Sequence, residues 1–264
     1  MLMAVKNQIK VTLLTIKYAV MREMLNKFTF LSNVLLMILN NASFIVQWII
    51  IYGICDSVGN YEFKDILLLW GFSAYSYGFA FFFFRNAFNL SKIINEGRLD
   101  QFMIQPKNIL ISVITTHIKT SALGDMIYGY IMMFIYGATP GNLLLFTLFG
   151  ITGGLIMVSC SIIIGSLSFW VGKSDVLLDT FNNTLVTTSL YPDTIYGNVL
   201  KVILFTVIPV GMIVYIPINI MNCFNPGLFM TVLAFTIMII AFAFIVFYTG
   251  LKRYSSSNLM NVRT

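Results

Sequence analysis

The sequence predicts an all-α fold, a polytopic membrane bundle of six transmembrane helices with an interfacial helix before the first and a re-entrant hairpin before the last. Two observations carry this prediction. Of the 264 residues, 58% are hydrophobic and 10% are charged, and the mean hydropathy is +0.87, whereas a soluble domain carries about 25% charged residues. The apolar residues also gather into long stretches separated by short polar ones, and about 20 residues suffice for one bilayer crossing.

Residues 1–27 are predicted to form an amphipathic helix in the plane of the membrane interface. Apolar residues recur there at helical spacing while lysines occupy other faces, as is typical of a helix among lipid headgroups. The apolar positions are Ile9, Leu13, Ile16, Val20 and Met24. A partly disordered basic tail is the alternative.

Residues 28–264 are predicted to form one six-span domain. Five crossings are evident, at residues 30–54, 66–84, 111–136, 143–171 and 227–250. The sixth lies between Asp175 and Met221 and has two candidate placements. Residues 202–220 are the more hydrophobic choice, but Pro209 and Pro217 interrupt them. Residues 176–190 are shorter and polar on one side, and if they cross, the proline-broken segment becomes a re-entrant hairpin.

Basic residues are distributed unevenly over this topology. Lys64 lies on one side of the membrane and Lys201 depends on the placement chosen, whereas the other lysines and arginines, fourteen of 16, share the opposite side. Such a bias marks the cytoplasmic face, so both termini are expected in the cytoplasm. No contiguous basic surface with interleaved aromatic residues lies outside the membrane. The net charge of +6 therefore reflects topology, and no nucleic-acid partner is predicted.

Motifs of an enzyme active site are missing from the sequence. Three widely spaced cysteines and a single histidine have no metal-ligand spacing. Gly172, Lys173 and Ser174 match the end of a phosphate-binding loop, but Leu167 stands where its first glycine is required. We therefore expect no catalytic residue, no metal site and no cofactor bound by this chain.

The most informative polar segment, residues 91–108, joins the second and third crossings. Gly97 is expected to end the preceding helix in a left-handed conformation, and Pro106 to lie in the first turn of the next. Between them, Leu99, Phe102 and Met103 share one face of a short predicted helix, while the charged residues stay in water. Such a helix either docks in a groove of another protein or rests on lipid.

Several short motifs occur in an order that is found in one known family. They are Glu96-Gly97-Arg98-Leu99-Asp100 with Pro106-Lys107-Asn108, then Ser168-Phe169-Trp170, then Tyr191-Pro192 with Ile195-Tyr196, two Ile-Pro pairs at 208–209 and 216–217, and Leu251-Lys252-Arg253-Tyr254. In these motifs the chain resembles the membrane subunits of type-2 ATP-binding-cassette exporters, in a branch of six-span permeases of about this length.

This resemblance implies a permease subunit of an ATP-driven exporter, in which a partner subunit uses the ATP. The implied partners are a second permease subunit, identical or homologous, separate cytosolic ATPase subunits, and the lipid of a bacterial plasma membrane. The resemblance also favours residues 176–190 as the fifth crossing, with 191–222 re-entrant. The residues implied to couple the permease to the ATPase are Glu96, Gly97, Arg98, Leu99, Asp100, Phe102, Met103 and Pro106.

Two other function classes fit a polytopic helical bundle. An ion- or proton-coupled carrier is expected to have inverted repeats and several intramembrane charges, of which only Asp125 is firm in this sequence. A membrane scaffold or assembly protein is less consistent with polar residues inside the crossings. The sequence does not identify a substrate, because peptides, drugs, lipids and ions all fit a cleft with a few amides and hydroxyls.

Polar residues inside the predicted crossings are candidates for a transport pathway. Asp125 lies within the third crossing, where it either lines a pathway or forms a local ion pair with Lys119 or His117. The other candidates either line the same cleft or form hydrogen bonds between helices. They are Asn40, Asp179, Asn182 and Asn183.

The fourth predicted crossing carries a stripe of small residues. Gly150, Gly154, Ser161 and Gly165 are spaced so that they share one face of a helix. Small residues allow two backbones to approach closely. The stripe therefore predicts a packing interface, either with another helix of this chain or with a second permease subunit.

Overall fold

A computed structural model describes residues 2–255, with the side chains of residues 2–6 and 9 excepted. The predicted position of Ile9 on an apolar face and the end of the predicted 28–264 domain lie outside the described residues. Apart from an isolated bridge between Val58 and Tyr61, the regular structure of the described part is helical. The predicted all-α membrane bundle is confirmed.

Thirteen α-helices follow one another in the described part of the chain. They are α1 (Leu2–Glu23), α2 (Lys27–Tyr52), α3 (Phe63–Phe84), α4 (Leu90–Asn95), α5 (Asp100–Met103), α6 (Ile109–Ile114), α7 (Ala122–Gly137), α8 (Pro140–Ser166), α9 (Ser168–Val171), α10 (Asp175–Ser189), α11 (Asn198–Thr206), α12 (Ile216–Asn222) and α13 (Pro226–Leu251). A short 3₁₀ turn, Arg85–Asn89, joins α3 to α4, and a π-helical turn, Gly211–Tyr215, precedes α12.

Four helical stretches of the described residues are long and apolar enough to cross a bilayer. They are Lys27–Tyr52, Phe63–Asn95, Pro140–Val171 and Pro226–Leu251, and the bent pair of α11 with residues 211–222 makes a fifth if it is one span. Helices α7 and α10 have 16 and 15 residues and so are about 24 and 22 Å long. Both are shorter than a hydrocarbon core of about 30 Å.

The predicted third crossing, 111–136, is not one continuous helix. Helix α6 ends at Ile114 and α7 begins at Ala122. The hydroxyl of Thr115 donates to the carbonyl of Ile111, and that of Thr116 to the carbonyl of Ser112. Such local bonds satisfy carbonyls at a helix end and compete with continuation of the helix. The polar run that follows, with His117 and Lys119, forms the connection between the two helices.

We name the two ends of the bundle after the connections that lie there. The 53–62 end holds residues 53–62, and the 91–108 end holds residues 91–108. Segment 191–222 begins and ends at the 53–62 end. The hydroxyl of Tyr61 donates to Asp193 Oδ1 at 2.9 Å, and Lys201 Nζ lies 3.1 Å from Asp193 Oδ2. At the other end of the segment, Asn222 Nδ2 donates to Asp65 Oδ1 at 2.6 Å. The chain therefore enters and leaves this segment at the same end of the bundle, as the predicted re-entrant hairpin would, and we call the segment the hairpin.

The hairpin bends by 79° between α11 and residues 211–222. Pro209 lies at this break, and proline cannot donate the backbone hydrogen bond that would continue a helix. Helix α10, by contrast, runs from the 91–108 end, where Ser91 bonds Asp175, toward the 53–62 end, where Tyr215 binds the Thr188 carbonyl. These contacts favour residues 176–190 over 202–220 as the crossing.

Helix α3 is the centre of the bundle. Most of its side chains are buried, mainly against α7 and α8, whereas α2 and α13 bury few of theirs. Helix α1 lies beside the 91–108 segment, where Gln8 Oε1 accepts a hydrogen bond from the backbone amide of Asn108 at 3.0 Å. The exposed apolar side chains of α2 and α13 fit contact with lipid or with another subunit.

Candidate functional site

A cleft of about 220 Å³ opens between α2 and α10, with α3 as its floor. Asn40 and Asn41 of α2 lie on one wall, and Val186 of α10 lies on the other. Asp125 of α7 also lines the cleft. Of the predicted pathway residues, the structure therefore brings Asn40 and Asp125 together, at mid-length of the bundle.

Asp125 is almost completely buried, with 2% of its surface exposed. Its Oδ1 accepts a hydrogen bond from Asn41 Nδ2 at 2.6 Å, whereas its Oδ2 has no hydrogen-bond partner among the described residues. Lys119 does not pair with this carboxylate, and its Nζ instead lies 5.4 Å from the centre of the Phe81 ring. The predicted local ion pair with Lys119 is therefore not formed. A buried carboxylate with a free oxygen is costly.

Aromatic residues of the cleft were not predicted from the sequence. The rings of Phe44 and Trp70 stack at 5.7 Å, and Tyr77 lines the same space. Trp70 Nε1 is buried and has no hydrogen-bond partner among the described residues. Aromatic residues are common throughout the apolar crossings, so nothing in the sequence around Phe44, Trp70 and Tyr77 distinguished them from aromatic residues of the core or of the lipid-facing surface.

Helix α10 presents polar side chains away from the rest of the chain. Asp179, Asn183 and Thr187 follow one another at intervals of four residues, and all three are exposed. Residues four apart share one face of a helix. Asn182 differs, because its Oδ1 accepts a hydrogen bond from Ser161 of α8 at 2.8 Å. Among the predicted pathway residues of α10, Asp179 and Asn183 thus lie on an exposed polar stripe, and Asn182 lies in a helix interface.

Helix α2 carries a second exposed polar stripe. Asn33, Asn40 and Gln47 are each seven residues apart, and all three are exposed. Two helical turns separate successive members, so they lie along one face. We take the two stripes together with the cleft that α2 and α10 line, which Asn40 shares with the α2 stripe, as the candidate site and call it the polar face.

The small residues of α8 pack within this chain. A Cβ atom added at Gly150 would lie 2.0 Å from the Tyr75 ring, and one added at Gly154 would lie 2.8 Å from the Ser76 carbonyl oxygen. At Gly165 the neighbour would be the Leu90 side chain, at 2.9 Å. The glycines of the predicted stripe therefore face α3 and α4, and Ser161 faces α10 through Asn182.

The turn at Gly97 ends α4 as the sequence predicts. Gly97 has φ of 70°, a left-handed conformation that L residues with a Cβ adopt at a cost. Its amide donates to the carbonyl of Ile94 at 3.2 Å, and the amide of Arg98 donates to that of Ile93 at 3.0 Å. This pair of bonds is the Schellman arrangement. It reverses the chain and leads directly into α5.

Helix α5 does not present the single apolar face that the spacing predicts. Leu99 is 0% exposed and Phe102 is 7% exposed, so both pack inside this chain. Met103 is 45% exposed and the following Ile104 is 85% exposed. The apolar surface available to a partner is therefore formed by Met103 and Ile104. Leu99 and Phe102 pack against the rest of this chain and hold that surface in place.

The polar residues around α5 have different surroundings. Glu96 and Arg98 form an exposed ion pair at 2.7 Å, of a kind that contributes at most about 1 kcal/mol. Asp100 Oδ1 accepts a hydrogen bond from the hydroxyl of Tyr254 at 2.9 Å, which ties α5 to the end of α13. Burial and this bond raise the pKa of Tyr254, so the phenol keeps the proton that it donates.

Pro106 lies outside the first turn of the next helix, contrary to the prediction. Helix α6 begins at Ile109, and Asn108 is its N-cap, with Oδ1 accepting from the amide of Ile111 at 3.0 Å. Pro106 instead lies in the turn between α5 and α6. Asparagine is a strong N-cap residue, and its capping bond sets the start of α6 at Ile109, three residues after the proline.

A cluster of serines, which the sequence interpretation missed, joins three helices at the 91–108 end. The Oγ atoms of Ser91 and Ser168 are 2.6 Å apart, and those of Ser168 and Ser174 are 2.7 Å apart. Ser91 also donates to Asp175 Oδ1. We call Ser91, Ser168, Ser174 and Asp175 the serine cluster. Ser174 followed by Asp175 is a recognisable helix start, but its partners come from distant parts of the chain.

The tripeptide that resembles part of a phosphate-binding loop belongs to this cluster. Gly172 has φ of 80° and ends α9, while Ser174 is the N-cap of α10. The hydroxyl of Ser174 is buried and bonded within the serine cluster. These residues therefore connect two helices, rather than a strand and a helix as in a phosphate-binding loop.

Comparison with known proteins assigns the chain to a family. Curated proteins and solved structures gave no match. Residues 35–258 match the family described as "ABC-2 family transporter protein", and this range includes the cleft, the 91–108 segment and the hairpin. The chain is a multi-pass membrane protein that belongs to the ABC-2 family of transporter proteins, and it is a permease subunit of an ABC transporter.

Proposed function

We propose that this subunit forms half of an export pathway in a bacterial plasma membrane, together with a second permease subunit, identical or homologous. Separate cytosolic ATPase subunits power the transport, and both termini lie in the cytoplasm. The observation that carries this proposal is the polar face, whose stripes on α2 and α10 are exposed in a single chain. The 91–108 end is then cytoplasmic, in agreement with its basic residues.

The polar face is unsuited to contact with lipid. A carboxylate or amide at membrane depth is costly and lies against protein or a water-filled cavity. Asp179 and Asn183 on α10, and Asn33, Asn40 and Gln47 on α2, have no such cover in one chain. A second subunit that brings its own polar face opposite would enclose a wet passage between the two. The cleft with Asp125 opens onto that passage.

The ATPase is proposed to bind at α5. Met103 and Ile104 form the exposed apolar surface there, and apolar anchors in a partner groove dominate the affinity of many interfaces. The Gly97 turn fixes α5 relative to α4, while Leu99 and Phe102 anchor it to the bundle. Movement of the bound ATPase is thereby transferred to the permease.

Cross-linking tests the proposed pairing of permease subunits. Cys55, Cys160 and Cys223 are replaced by serine, and a single cysteine is introduced as Asn183→Cys or, as a control, Ile237→Cys. Ile237 is 70% exposed on α13, away from the polar face. A benzophenone maleimide attached to the single cysteine and photoactivated should link Asn183→Cys to a second permease chain, identical or homologous, identified by mass spectrometry, and Ile237→Cys should stay unlinked. Equal linking at both positions, or none at Asn183, would contradict the pairing.

Co-purification tests the proposed ATPase site. Ile104→Asp should weaken ATPase binding about 30-fold, since a truncated apolar anchor costs about 2 kcal/mol. Ile54→Asp is the matched control, because Ile54 is 81% exposed at the 53–62 end. The measurement is ATP hydrolysis that co-purifies with tagged permease. If Ile104→Asp retains as much hydrolysis as Ile54→Asp, the ATPase does not bind at α5.

A further inference from the structure

Asp125 lines the cleft and has a buried acceptor atom that the fold leaves unused. Asp125 is 2% exposed, lines the cleft, and has an Oδ2 without a hydrogen-bond partner among the described residues. Buried polar atoms are almost always bonded. The side-chain amide of Asn41 donates a hydrogen bond to Oδ1 of this carboxylate. Its other oxygen, Oδ2, receives none from the described residues. A donor supplied by a ligand would complete the site.

The surroundings of the cleft favour a cation over a neutral donor. The rings of Phe44, Trp70 and Tyr77 line the same space as the Asp125 carboxylate. Aromatic faces attract ammonium groups, with tryptophan the strongest. The nearby cations do not compensate the carboxylate by direct contact, because Arg85 and Lys119 lie over the Phe81 ring at 4.8 and 5.4 Å from its centre.

We propose that the cleft binds the protonated amine of a substrate that carries an aromatic or other bulky apolar group. The ammonium donates to the carboxylate of Asp125, and its apolar group contacts the rings of Phe44 and Trp70. The cleft holds about 220 Å³, less than the roughly 300 Å³ of the smallest drug-sized pockets. It therefore accommodates one end of a larger substrate, and the remainder extends onto the polar face. This inference rests on the proposed export function and assigns its substrate class.

The test measures binding of 2-phenylethylammonium and its neutral counterpart 2-phenylethanol to the full chain in lipid nanodiscs. Calorimetry against empty nanodiscs removes the contribution of partitioning into lipid. Wild-type protein should bind the amine saturably and at least about tenfold more tightly than the alcohol, as expected for a hydrogen bond to a charged group. Equal affinities, or heat from partitioning alone, would overturn the proposal.

Two variants locate the recognition in this cleft. Asp125→Asn keeps the shape of the side chain and should abolish the preference for the amine, whereas Asp56→Asn, an exposed carboxylate in the 53–62 connection, should keep it. Trp70→Leu should weaken amine binding several-fold and reduce the preference without abolishing it, since the carboxylate remains. A preference that survives in Asp125→Asn, or that is lost in Asp56→Asn, would overturn the assignment. If Asp125→Asn does not fold, the affinities of wild-type protein for the amine and the alcohol, and the loss of amine affinity in Trp70→Leu, still test the proposal.

This experiment is independent of the ATPase and of subunit cross-linking. Loss of co-purifying ATP hydrolysis in every preparation would refute the proposed export function while leaving selective amine binding intact. Conversely, an ATPase that binds at α5, combined with equal binding of amine and alcohol, would refute only the substrate class.

Discussion

Replacing Ser91 with alanine should uncouple the ATPase from the polar face. Ser91 lies in α4, which leads through the Gly97 turn into α5, and its hydroxyl is bonded to Asp175 at the start of α10. It is thus a direct polar link between the helix that leads to the proposed ATPase site and the helix that carries the stripe with Asp179 and Asn183. The side chain is 1% exposed, so water does not replace its bonds easily.

The size of the effect follows from the bonds that are lost. Ser91 donates to a carboxylate and shares a 2.6 Å hydrogen bond with Ser168. A bond to a charged group contributes about 1.5–3 kcal/mol and a neutral one about 0.5–1.5 kcal/mol, so Ser91→Ala should cost about 2–4 kcal/mol. Coupling free energies between sites are typically about 1–3 kcal/mol. Losing this link is therefore large enough to remove the coupling.

The assay follows the α10 stripe directly and needs no known substrate. A single cysteine at Asn183, in a background without the native cysteines, is labelled by a thiol reagent with and without ATP plus vanadate. In the otherwise unchanged permease–ATPase complex, nucleotide should change the labelling rate severalfold. With Ser91→Ala the rate should not respond to nucleotide, although ATP hydrolysis persists.

The matched control is Ser159→Ala, which removes an equally buried hydroxyl. Ser159 bonds only the carbonyl of Leu155, one turn earlier in its own helix, at 2.8 Å. This variant should keep the nucleotide response. The coupling role of the serine cluster is refuted if Ser91→Ala also keeps the response, or if Ser159→Ala loses it to the same extent.

Three further predictions concern stability and local geometry. Gly154→Leu should lower the free energy of unfolding of purified permease by about 1–3 kcal/mol, because its Cβ would lie 2.7 Å from a phenyl carbon of α3. Gly141→Leu is the control, since a Cβ at Gly141 has no neighbour within 4 Å. Equal unfolding midpoints for the two variants would contradict this close packing. Lys201→Met should release the hairpin by removing the 3.1 Å ion pair with Asp193, and faster proteolysis of segment 191–222 measures it; an unchanged cleavage rate would show that the pair does not hold the hairpin. Gly97→Val should cost about 1–2 kcal/mol, because L residues resist the φ of 70° found there, and should reduce co-purifying ATPase; full retention would mean that the turn tolerates rearrangement.

The sequence predicted the features that depend on local chemistry. Long apolar stretches predicted the longest membrane helices, because about 20 consecutive apolar residues suffice for one crossing. Gly97 predicted the end of α4, since glycine adopts a left-handed conformation at little cost. The competition between residues 176–190 and 202–220 needed tertiary contacts, and the bonds of Asp193 and Asn222 at one end of the bundle supplied them.

Other features depended on contacts between distant residues and were missed. The spacing of Leu99, Phe102 and Met103 indicated one apolar face, but helix periodicity does not tell which side of a four-residue helix the bundle covers. The serine cluster joins Ser91 to Ser174, which are more than eighty positions apart in the sequence. The break at residues 115–121 was missed because the apolar residues on either side keep the mean hydropathy of 111–136 high, although His117 and Lys119 lie between them.

Helix α10 is held at both ends, and this determines how it can move. At the 53–62 end, the hydroxyl of Tyr215 donates to the carbonyls of Thr188 and Tyr191 at 3.1 and 2.9 Å, and Ser73 donates to that of Ser189 at 2.7 Å. At the 91–108 end, the serine cluster holds its first residue. Because the buried bonds of Tyr215 and Ser73 lie far from the ATPase, we expect α10 to pivot about that end when α4 moves. The exposed stripe then shifts most near Asp179, the cytoplasmic side of the proposed passage, while Val186 and Leu190, which line the Asp125 cleft, stay close to the pivot.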